Sequence, residues 1–126
     1  GLFAGRTLSL GEITYFAFGI PSAEFHDELW GEIHRLIDPK SEKDLNNKLK
    51  NDHQLAFSKI WRRDDKNKQD DKNKREDRPN ATLPYYIRNS SHHPENRLNV
   101  SYTDDELADS TEMLIKVLEK LKGGNP

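Results

Sequence analysis

The sequence predicts an all-α fold, a four- to five-helix bundle forming a single domain over residues 1–126. Three observations predict it. Hydrophobic residues recur at helical spacing in most of the chain, Ser or Thr stands where each such run begins, and strand-like alternation is scarce. The links between runs are mostly short, as in a bundle.

Taken in order, Ser9-Leu10-Gly11-Glu12 has the pattern of a capping box, in which hydroxyl and carboxylate satisfy amides at a helix start. Ile13, Phe16, Ala17 and Ile20 follow at helical spacing, and Gly19 to Pro21 ends the run. Ser22 caps a second helix, whose stripe is Phe25, Leu29, Ile33, Leu36 and Ile37, with Asp38-Pro39 as the stop. Ser41 with Asp44 opens a third. Leu45, Leu49, Ala56 and Ile60 keep its apolar face, with a break expected near Asn51-Asp52. Thr82 caps a short fourth helix from Leu83 to Ser91, with Pro84 in its first turn, and His93-Pro94 ends it. Thr103 and Glu106 form a second capping box. Leu107, Leu114, Val117, Leu118 and Leu121 then give the clearest amphipathic stripe, closed by Lys120, Lys122 and Gly123.

One stretch breaks the pattern. The chain carries 20 Lys/Arg and 22 Asp/Glu, a net charge of −2. Of these, 8 basic and 6 acidic residues fall in the 17 positions from Arg62 to Arg78. Asp64 to Lys68 and Asp70 to Lys74 are the same pentapeptide, repeated around Gln69. Such a segment cannot bury enough apolar surface to offset its ordering entropy. Residues 62–81 are therefore expected to form an exposed charged loop, disordered or at most partly helical.

Composition excludes several classes. No apolar run approaches the roughly 20 residues that span a bilayer, so no membrane partner is expected. The absence of cysteine removes disulfides, thiolate zinc sites and a Cys nucleophile. The opening Gly1-Leu2-Phe3-Ala4 lacks the basic region of a signal peptide, so a cytoplasmic location is expected. His26 and His34 lie two helical turns apart, some 12 Å, too far to share a metal, and are expected at the edge of the core. Asp65 to Glu76 echoes a calcium loop only loosely, since Asp70 holds the position that needs glycine. Leu8-Ser9-Leu10-Gly11-Glu12 resembles the signature of ABC-type ATPases, but no Gly-rich phosphate loop accompanies it and the capping box accounts for it better. No cofactor and no metal are expected.

The densest polar constellation is Tyr85 to Asn96. Arginine presents a planar fork of donors that fits phosphate oxygens, and histidine exchanges protons near neutrality. A guanidinium beside an imidazole suits phosphodiester cleavage. In RNA the 2′-hydroxyl is a built-in nucleophile, so acid–base help and charge stabilisation suffice. On a continuing helix, residue i+4 lies about 40° from residue i and residue i+5 about 140°. His92 is then the nearer partner of Arg88, whereas His93 becomes the partner if the proline turns the chain back. Tyr85, Tyr86 and Tyr102 offer faces for stacking on bases, though aromatics at this spacing also fill cores. Arg97 is a further candidate phosphate contact.

Arg88-Asn89-x-x-x-His93, with Pro94 behind it, resembles the Arg-polar-x-x-x-His signature of HEPN-domain ribonucleases. The resemblance covers about 15 residues, Tyr85 to Asn99. It implies an all-helical HEPN-like bundle and a metal-independent endoribonuclease, often the toxin of a toxin–antitoxin or antiphage system. It carries Arg88 and His93 over as the catalytic pair and Asn89 as the polar residue beside the arginine. It further implies RNA, tRNA among the candidates, as substrate, and a homodimer with two motifs facing one cleft. An antitoxin or a partner ATPase would control it. The competing class is a noncatalytic helical module that docks on an ATPase or nucleotidyltransferase; the structural alternative makes Arg88 and Asn89 a solvated helix end.

Overall fold

The computed structural model describes residues 9–62, 80–93 and 101–123. Among these, the elements run α1 (Leu10–Phe18), α2 (Ala23–Ile37), α3 (Glu42–His53), β1 (Lys59–Ile60), β2 (Asn80–Ala81), α4 (Leu83–His92) and α5 (Asp104–Leu121). The fold is a mostly helical bundle, as the periodicity predicts. α2 packs chiefly on α5, and α4 lies against both.

Each helix begins where a hydroxyl side chain takes up a free amide. Ser9, Ser22, Ser41, Thr82 and Thr103 have extended backbone and accept from the residue three positions on. At α5 the box is complete, with the Thr103 hydroxyl accepting from the Glu106 N–H and the Glu106 carboxylate accepting from the Thr103 N–H. α1 and α2 end on the left-handed residues Gly19 and Asp38.

The core forms where the α2 stripe meets α5. Phe25, Leu29 and Ile33 are fully buried, as are Leu114 and Leu118 opposite. Each such side chain contributes about 2 kcal/mol by leaving water. Leu45 and Leu49 from α3, Trp61, and Tyr85 and Tyr86 from α4 complete the cluster. Leu83, Ile87 and Leu107 form a smaller one, with Tyr102 packed on it.

Four expectations need correcting. α3 stops at His53, close to the break expected near Asn51-Asp52, but Ala56 and Ile60 therefore do not continue its face, Ile60 lying in β1 with its side chain exposed. Asn51, Asp52 and His53 are weak helix formers, and Gln54 turns left-handed at φ 59°. Most apolar residues of α1 face outward, with Leu10 at 80%, Phe18 at 73% and Phe16 at 57% exposure, while Glu12 is buried and Tyr15 packs on the edge of the core. His26 is not at the core's edge but inside it, its Nε2 2.7 Å from the Ser110 hydroxyl. In the charged insert, residues 63–79 lie outside the described residues, but its last two residues are strand rather than loop. β2 pairs antiparallel with β1, Lys59 opposite Ala81, and Ala81 is fully buried.

Asn46 ties this return to the bundle. Its amide donates to the Asn80 carbonyl and its oxygen accepts from the Thr82 N–H, both at 2.9 Å. Asn46→Ala leaves the buried Thr82 amide without that acceptor at the very start of α4. A loss of about 2 kcal/mol is expected in urea unfolding.

Candidate functional site

α4 is held from both sides, which fixes where its polar face points. Thr82 and Pro84 set its start, and Tyr85, Tyr86, Ile87 and Asn89 are buried. Tyr85 lies against Trp30, ring centroids 6.2 Å apart, and Tyr86 meets Trp61 edge-on at 5.7 Å. Both tyrosines are core side chains here, not exposed stacking platforms. Arg88 and His92, one turn apart, are left on the outward face toward α2.

There they meet carboxylates from two other elements. His92 Nε2 is 2.9 Å from Asp27 Oδ1 on α2. The same oxygen is 3.8 Å from Arg88 Nε, and Arg88 Nη1 is 3.4 Å from Glu42 Oε1 at the start of α3. Glu42 in turn accepts from Trp30 Nε1 at 2.6 Å and lies 2.9 Å from His34 Nε2. The result is one continuous polar chain, His92–Asp27–Arg88–Glu42–His34, carried by three helices. A cavity of about 310 Å³ opens beside it, lined by Asp27, Trp30, Gly31, His34, Arg35, Glu42 and Arg88.

The pairs leave Arg88 only partly committed. At 3.8 Å the Arg88–Asp27 contact is an ion pair without a hydrogen bond, and the buried Nε makes none among the described residues. These groups are partly solvated, so each pair contributes at most about 1 kcal/mol. Arg88 is permanently charged and lines the cavity, while His92 stands one turn along α4 and meets the same Asp27 oxygen.

The other predicted residues lie elsewhere or outside the description. His93 caps α4, its N–H bonded to the Asn89 carbonyl at 2.9 Å, and its ring is 6.4 Å from that of Trp61. Asn89 is buried beside the core and does not line the cavity. Tyr102 is half-buried, its hydroxyl 3.1 Å from that of Ser91. Arg97 lies outside the described residues. The structure thus brings Arg88 and His92 together and sets His93 and Asn89 apart from them.

Asp27, Glu42 and His34 were missed in the sequence. A usable signal existed on α2, where Asp27, Gly31 and His34 fall at i, i+4 and i+7 on one polar face. Glu42 carries no such signal, since it reaches the site only through the turn from α2 to α3. Among the described residues, no group of three or more His, Asp or Glu is arranged to hold a metal ion. Nor is any described helix long and apolar enough to cross a membrane. No family model, no curated protein and no solved structure matches the chain.

Proposed function

We propose that this chain is a HEPN-type endoribonuclease that cleaves RNA by acid–base chemistry at Arg88 and His92. The convergence of these two side chains on Asp27, beside an open cavity, carries the reading. Arg88 holds the scissile phosphate and offsets the charge that develops on it. His92 takes the proton of the 2′-hydroxyl, whose oxygen bonds to phosphorus as the bond to the 5′-oxygen breaks. The same proton then passes to the departing oxygen, leaving a 2′,3′-cyclic phosphate and a 5′-hydroxyl. The Arg-Asn-x-x-x-His93 resemblance supports the class of chemistry, a cytoplasmic toxin or antiphage effector as the setting, and two copies facing through α4 as the working form.

The outward apolar residues of α1 favour a second reading, a docking module for a partner ATPase or nucleotidyltransferase. The two readings separate in one assay, in which total RNA or tRNA is incubated with protein in EDTA. Wild type is expected to yield fragments ending in 2′,3′-cyclic phosphate, and Arg88→Ala to reduce the rate by about 10²-fold or more. Intact RNA with the wild-type protein would sink the nuclease and leave the docking module.

A further inference from the structure

We propose that Asp27 is the positioning residue of this site, holding the His92 ring in the tautomer whose Nδ1 exchanges the proton; the proposal rests on the nuclease reading above. An ionised carboxylate can only accept hydrogen bonds. With Asp27 Oδ1 at 2.9 Å, the ring proton of neutral His92 therefore sits on Nε2. The lone pair is left on Nδ1, the nitrogen a 2′-hydroxyl must reach. Neither side chain does this alone. His92 is the last residue of α4, exposed and free to turn about two torsions. Asp27 stands inside α2, where the buried Phe25, His26, Leu29 and Trp30 on either side anchor its backbone. The packed helix thus fixes the place from which the carboxylate meets the ring at the end of α4. The same oxygen lies 3.8 Å from Arg88 Nε, so one atom also fixes how far the proton-transfer group stands from the phosphate-holding group.

A surface ion pair would affect stability slightly and catalysis not at all. A positioning role predicts a different pattern on a fluorogenic mixed-sequence oligoribonucleotide. Asp27→Ala is expected to lower kcat by about 10²-fold, with KM changed less than about twofold because Arg88, which holds the phosphate, remains. In a His92→Ala background the same substitution is expected to change nothing further, since Asp27 acts through the ring. Asp27→Glu should restore part of kcat. A loss confined to KM, or an equal loss in both backgrounds, would overturn the proposal.

Ring ¹⁵N spectra supply a readout that does not depend on cleavage. The wild-type His92 ring is expected in the Nε2–H form, and in Asp27→Ala as a mixture of both forms. Identical spectra would also overturn the proposal. Wild-type protein that cleaves no RNA but shows the spectral change would sink the nuclease while leaving the Asp27–His92 coupling standing.

Discussion

His92→Ala is expected to lower RNA cleavage by about 10²–10⁴-fold, whereas His93→Ala leaves the rate within a few-fold of wild type. The difference follows from where α4 stops. The helix runs through His92, which keeps that ring about 40° from Arg88 around the axis and one turn along it. Only at His93 does the backbone leave the helix, at φ −131° and ψ 60°, and that ring turns toward Trp61. His93→Ala removes the ring beside Trp61 and leaves Arg88, His92 and Asp27 in place. Initial rates on a single RNA with both variants, each checked for cooperative unfolding, decide the matter. The opposite ranking would move the proton transfer to His93, as the motif resemblance has it, and with it would fall the role proposed for Asp27.

Acid should unfold this protein earlier than its carboxylates alone would require, and His26 is the cause. Burial drives the His26 pKa from its ordinary 6.5 to about 4, only partly opposed by the neighbouring charge of Asp27. The neutral ring bonds the Ser110 hydroxyl inside the α2–α5 interface. Between pH 6.5 and 4 the unfolded chain binds a proton that the folded chain refuses. Stability is therefore fully present above about pH 6.5 and falls as the pH drops toward 4, by about 3 kcal/mol in all. That is a large fraction of what a domain of this size possesses. Glu106, whose carboxyl is held below the usual carboxylate range chiefly by Lys59, adds a loss of its own at lower pH. Comparison with His26→Gln isolates the histidine, because glutamine can still bond Ser110 but does not titrate. Urea midpoints at several pH values should slope less in the variant between pH 6.5 and 4. Parallel slopes would show that His26 protonates without penalty.

The helices were legible because the signals that make them are local. A hydroxyl at Ser22, Ser41, Thr82 or Thr103 meets an amide three residues on, and both partners are visible in the sequence. The stripe Phe25, Leu29, Ile33 was legible for the same reason, since a period of 3.6 residues places it on one face. At α3 the break near Asn51-Asp52 was legible, but Ala56 and Ile60 continue the period by chance after the backbone has turned at Gln54. α1 misled more deeply. Its apolar spacing is genuine, but a pattern states which residues share a face and not whether another element covers it.

The candidate site divides along the same line. Arg88 and His92 could be paired from the sequence, being one helical turn apart on one element. Their partners could not. Asp27 is 65 residues from His92 and Glu42 is 46 residues from Arg88, and they join the site only because α2, α3 and α4 pack together. Likewise the sequence shows His26 as one histidine among five, and only burial against Ser110 makes it a neutral core group. Residue order sets the helices, their caps and the spacing along each face, since these depend on neighbours within a turn or two. Packing sets which faces are covered and which charges meet. Those are contacts between distant segments, which local spacing does not encode.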